Sequence, residues 1–165
     1  MFITSPPRTY PGYDANGKAI CLTICTENER NAYWEYTAYL DGEEAGNAIA
    51  TFPRFPDEST IVLKHLNAQI KSIHGIGTAL IQAIVEDSLS FAKGQIKLDS
   101  HPNALIFYWK LGFRLCSEDR IRLRTTQKYA RIIKEKMERE NLQESDEAIQ
   151  QDKDYIFLKE ILEKN

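Results

Sequence analysis

The sequence predicts a mixed α+β fold, a central and mostly antiparallel sheet flanked by helices. Three observations point to it. Residues 19–68 hold short alternating apolar segments separated by turn residues, including Asp41-Gly42. At Gly75 the apolar period changes from two to 3.6. Residues 60–110 then read as strand, helix, parallel strand, helix.

The elements follow in order. Residues 1–18, rich in Pro, Gly and Tyr, read as an irregular N-terminal arm. Ile20, Leu22 and Ile24 alternate in a strand over 19–26. Tyr33, Trp34, Tyr36, Tyr39 and Leu40 favour a second strand over 33–40. A third spans 44–52 and ends before Pro53 and Pro56. A fourth spans 60–68, with Ile61, Leu63 and Leu66 among its apolar residues. Ala79, Leu80, Ala83, Ile84 and Leu89 recur at helical spacing to about residue 90. Gln95–Asp99 is a short strand. Ser100 can cap a helix over 102–110, with Pro102 suited to its first turn. Gly112 stops that helix, and Phe113–Cys116 begins another strand.

Residues 125–142 carry an apolar stripe of Tyr129, Ile132, Ile133 and Met137. Lys134–Glu138 and Glu135–Arg139 are ion pairs on its wet face, so a helix is expected. Tyr155–Leu162 reads as a last strand, which makes the helix an insertion before it. The 165 residues are read as one domain, with a core over 19–117.

Composition narrows the function classes. Apolar residues make up 42% and charged residues 27%, ordinary for a globular protein. The net charge of −3 gives no basic field for nucleic acid. Arg120, Arg122 and Arg124 bias one segment, but Glu118 and Asp119 dilute it. Cys21, Cys25 and Cys116 have no metal-binding spacing; they read as structural thiols in a reducing compartment. No apolar run reaches membrane-spanning length and no signal peptide is evident, so a cytoplasmic location is expected without a membrane partner.

The chemistry concentrates in two segments. Ile73-His74-Gly75-Ile76-Gly77-Thr78 places two glycines at a helix mouth. Backbone N–H groups there suit a phosphate, because glycine allows close approach and the helix end is positive. Thirty residues after Gly77 begins Phe107-Tyr108-Trp109-Lys110-Leu111-Gly112-Phe113. A tight strand-to-helix turn explains the glycines alone equally well; the second segment tips the balance toward a ligand.

Together these segments resemble the GNAT family of N-acetyltransferases. Its carrier-binding motif, Gln/Arg-x-x-Gly-x-Gly/Ala, is matched at Gly75 and Gly77, with Ser72 at the Gln/Arg position. Its Tyr-x-Lys-Leu-Gly-Phe segment is matched over Tyr108–Phe113, with Ala104 in register. The likeness covers 60–113 well and 19–52 by strand order. His101 stands where a helix-starting Asn is common, with Asn103 close by. Only six residues, Glu27–Ala32, replace the helices that usually separate the family's first two strands.

The resemblance implies acetyl-CoA as acyl donor and a primary amine of a small molecule or peptide as acceptor, reacting directly in a ternary complex. It places pyrophosphate at Ile73–Thr78, pantetheine along Leu66, Asn67 and Ala68, and further carrier contacts at Asn103 and Tyr108. Tyr108 is implied as general acid to the departing thiolate. Residues 60–70 lack the glutamate often used as base, and His65 is the candidate there. A plain surface role for His65 and a packing role for Tyr108 remain alternatives. So do a non-catalytic CoA-binding or sensing domain and a longer-chain acyltransferase. Monomer and homodimer are both compatible with the sequence.

Overall fold

The computed structural model describes residues 3–28, 33–52, 60–91, 95–100, 104–115 and 122–125. They form strands β1 (Ile3–Tyr13), β2 (Ala19–Asn28), β3 (Tyr33–Leu40), β4 (Glu43–Thr51) and β5 (Thr60–Ala68). Helix α1 (Ile76–Phe91), β6 (Gln95–Asp99), α2 (Leu105–Lys110), β7 (Arg114–Leu115) and β8 (Arg122–Thr125) follow. One eight-stranded sheet has the order β1-β2-β3-β4-β5-β6-β8-β7. Among the described residues only the β5–β6 pair is parallel, since α1 is the crossover between them. The predicted mixed, mostly antiparallel sheet with flanking helices is therefore present.

Four expectations change. Residues 3–13 are not an irregular arm but an edge strand in the plane of the sheet. Pro6 and Pro7 hid it; they fall where the β1–β2 register shifts between Ser5 and Arg8, which spares the ladder their missing N–H groups. Helix α2 begins at Leu105, capped by Ala104 without a side-chain bond, so Ser100 is not its cap. Among the described residues the strand beside β6 is Arg122–Thr125, which puts Thr125 in a strand rather than at a helix start. Cys21 is exposed and Cys25 half-buried, so neither is a core thiol. The rest of the expected 125–142 helix, the strand Tyr155–Leu162, Cys116, His101 and Asn103 lie outside the described residues.

The core lies between α1 and one face of the sheet. Tyr10, Leu22, Ile24, Tyr36, Ala38, Ala48, Ala50, Ile61 and Leu63 are buried from the sheet side. Ile76, Ala79, Leu80, Ile81, Ala83, Ile84 and Val85 are buried from the helix. A helix apolar over so wide an arc is stable only when enclosed. β4 supplies small side chains at Ala45, Gly46, Ala48 and Ala50, which lets the bulkier helix side chains come close. No described helix is long and apolar enough to cross a membrane.

Candidate active site

Two departures from regular pairing mark the candidate site. β4 and β5 pair from Thr51↔Val62 to Gly46↔Ala68, but the register shifts between Ile49 and Ala50. Their partners are His65 and Leu63, so Lys64 is the extra residue of a bulge. β6 pairs with β5 only from Thr60↔Gln95 to Leu63↔Leu98. Beyond Leu63, the β5 edge that would face β6 has no strand partner among the described residues. Backbone donors and acceptors on such an edge favour a ligand that presents amides.

The chain then leaves β5 and crosses the end of the sheet. Gln69 donates its N–H to the Ala45 carbonyl at 2.8 Å. Ile73 donates to Ile70 at 3.2 Å, and His74 to Tyr13 at 2.8 Å. The expected phosphate cradle over Ile73–Thr78 thus has two donors fewer. Gly75 adopts φ +98, open to glycine at little cost, and turns the chain into α1. The first helical bond runs from Ala79 N–H to the Gly75 carbonyl. The N–H groups of Ile76, Gly77 and Thr78 therefore lack helical acceptors. No acidic side chain lies in that first turn to offset the positive end of the dipole.

Three consecutive residues there each meet a different element. A Cβ on Gly75 would lie 3.3 Å from Gly12 Cα of β1. Ile76 Cγ2 would lie 2.7 Å from a Cβ on Gly46 of β4. A Cβ on Gly77 would lie 3.1 Å from Phe107 Cζ of α2. The two segments singled out from the sequence thus meet physically at Gly77 and Phe107.

No protein-family profile matches the chain, and no curated protein does. Among solved structures it is similar to a proposed acetyltransferase from Exiguobacterium sp. 255-15. Identity is 22% and the TM-score 0.52, over 62% of this chain and 68% of that one. A proposed GNAT-family acetyltransferase from Desulfovibrio desulfuricans matches at 21% identity and TM-score 0.49, over 58% and 69%. A Bacillus subtilis acetyltransferase solved with CoA matches at 18% and 0.46, over 59% and 78%. The chain has the GNAT fold.

Within this GNAT fold the candidate residues separate into groups. Leu66 is half-buried, while His65, Asn67 and Ala68 are exposed on the open stretch of β5. His65 follows the bulge and pairs with Ile49, on the sheet face away from the buried Ala48 and Ala50. Tyr108 is buried, 7% exposed, with its ring edge-on to Phe107 and Phe113. Burial pushes its phenol up to about 12, so it stays protonated at neutral pH. No described side chain hydrogen-bonds its hydroxyl. Gly112 at φ +100 ends α2, and Phe113 N–H returns to the Tyr108 carbonyl at 3.1 Å.

The aromatic cluster of β3 splits by strand parity. Tyr36 is buried under α1, and Trp34 stacks on Phe52 with centroids 4.3 Å apart. Tyr33, 43% exposed, and half-buried Tyr39 lie on the opposite face.

One cluster was not anticipated. Arg8 of β1 makes two 3.0 Å bonds to the carboxylate of Asp87 and one to Thr26 Oγ1. The Tyr36 hydroxyl donates to Asp87 at 2.7 Å, and that of Tyr10 to Glu86 at 2.9 Å. Burial opposes the Arg8 charge, but the Asp87 bond and charge outweigh it and raise the guanidinium pKa. The sequence signal was present in the spacing Arg8-Tyr10-Gly12, which puts all three on one strand face. The cluster fastens β1 to the back of α1, away from the helix mouth.

Proposed function

We propose that this chain is an N-acetyltransferase of the GNAT family, moving the acetyl group of acetyl-CoA to a primary amine of a small molecule or peptide. The observation that carries this reading is the end of β5–β6 pairing at Leu63↔Leu98 while β5 continues to Ala68. It leaves an edge for the amides of pantetheine, with the loop to the uncompensated α1 mouth following directly. An uncharged amine nitrogen attacks the thioester carbon and forms the N–C bond. The resulting oxyanion collapses and the C–S bond breaks, with the electron pair leaving on sulfur. Backbone N–H groups near Leu66–Ala68 would hold the oxyanion. Tyr108 would give its proton to the thiolate; its phenol is protonated at neutral pH, and the burial that raises it to about 12 makes it a weaker acid than a free tyrosine. His65 would take the amine proton, directly or through water.

Calorimetry with CoA and acetyl-CoA, paired with a free-thiol assay over an amine and peptide panel, tests this. Binding with amine-dependent thiol release is expected, and absence of both would overturn it. The burial of Tyr108 favours a second reading, a domain that binds CoA without turnover. Binding with no release for any amine would select that reading.

A further inference from the structure

We propose that Gly12 and Tyr13, at the end of β1, are positioning residues for the anion loop, so that the N-terminal strand sets affinity for the phosphorylated end of the carrier. This rests on the acyl-carrier reading above. The loop leaves the sheet at β5, yet His74, two residues before the helix, is held by the far edge strand. Tyr13 and His74 exchange both backbone bonds, Tyr13 N–H to His74 O at 2.9 Å and His74 N–H to Tyr13 O at 2.8 Å. Lys71 and Ser72, between the β5 end and this bridge, are exposed.

The bridge fits because residue 12 has no side chain. A Cβ there would lie 2.8 Å from Leu22 Cδ1 and 3.1 Å from the His74 carbonyl. Gly75 also rests on Gly12. β1 is itself located on α1 by the Arg8–Asp87 pair, twelve residues along the helix from Gly75, or about 18 Å of helical rise. Strand and helix are thus joined at two separated points, and the N–H groups of Ile76, Gly77 and Thr78 lie just past one of them. A shift of β1 must shift His74 and Gly75 and re-aim those donors. They face the phosphates, not the thioester, so the effect falls on carrier binding rather than on chemistry.

The test compares two donors in the full-length protein. Acetyl-CoA carries the pyrophosphate; acetyl-pantetheine lacks it. Gly12→Ala is expected to raise KM for acetyl-CoA about tenfold through forced displacement of His74. The kcat for acetyl-CoA and kcat/KM for acetyl-pantetheine should be unchanged. Should Gly12→Ala alone fail to fold, Gly12→Ala with Leu22→Val removes the Leu22 clash and keeps the His74 contact. Ile96→Val, in the buried face of β6 and away from β1 and the loop, serves as a stability control; it should lower Tm without changing the ratio of the two donors. If turnover is absent, calorimetric Kd values for CoA and pantetheine read the same ratio. Equal losses with both donors, or no change in KM, would overturn the proposal alone. Wild-type protein that neither binds CoA nor uses acetyl-CoA would overturn the carrier reading, and the proposal with it.

Discussion

The ring of Phe107 packs on Gly77, so close that a Cβ there would lie 3.1 Å from Phe107 Cζ. Gly77 lies inside the first turn of α1 and is absent from the glycines with positive φ. Backbone freedom therefore does not require glycine there; the approach of α2 does.

That contact predicts a coupling. Alanine at 77 gains helix propensity of about 1 kcal/mol, while overpacking against the ring costs about 1–3 kcal/mol. Gly77→Ala should be neutral to destabilising in the wild type and stabilising in a Phe107→Leu background. A double-mutant cycle of urea midpoints measures the difference. Additive effects would show that the ring yields freely.

Asp87 accepts from both Arg8 and Tyr36, at side-chain exposures of 23% for Arg8 and 15% for Asp87. Asp87→Ala leaves both donors without it, in a cluster where Arg8 Nε is already buried without a partner. The expected loss is about 2–3 kcal/mol, below that of a fully buried pair because water reaches the edge. Asp87→Asn keeps an acceptor for Tyr36 and should cost less. Chemical denaturation reads both, and an Asp87→Ala protein as stable as wild type would contradict the assignment.

Tyr108→Phe keeps the ring contacts with Phe107 and Phe113 and removes only the hydroxyl. Thermal stability should change little. Where the wild type turns over, kcat should fall roughly a hundredfold with KM for acetyl-CoA nearly constant. Unchanged kcat would leave Tyr108 a packing residue.

Alkaline pH should unfold the protein. Burial raises Tyr108 from 10.0 to about 12, and raises Tyr10 and Tyr36 as well. A pKa higher in the folded than in the unfolded chain means the unfolded state releases protons first. The contribution is therefore complete below pH 10 and declines as pH rises from there through about 12. Phenolate absorbance of the three should appear together with loss of far-ultraviolet ellipticity. Full tyrosine titration of a still-folded chain at pH 10 would refute this.

Local chemistry made much of the fold legible in advance. Alternation marked β2 to β6, Asp41-Gly42 the β3–β4 turn, the 3.6 period α1, and Gly112 the end of α2. Each is set by residues adjacent in sequence. The arm was misread for the same reason. Pro6 and Pro7 speak against a strand locally, and only the β1–β2 pairing shows that a register shift absorbs them.

The sequence by itself determined the order of elements from β2 to α2 and the two glycines at the helix mouth, because these depend on dihedral preference and apolar period along a short stretch of chain. The tertiary structure decided why each glycine is there. Gly75 needs its positive φ and rests on Gly12, Gly77 makes room for Phe107, and Gly46 makes room for Ile76. It also decided that His74 gives its N–H to Tyr13 and that β5 parts from β6 after Leu63. Those outcomes join residues tens of positions apart, and steric room and hydrogen-bond competition between such residues exist only once the chain has closed on itself.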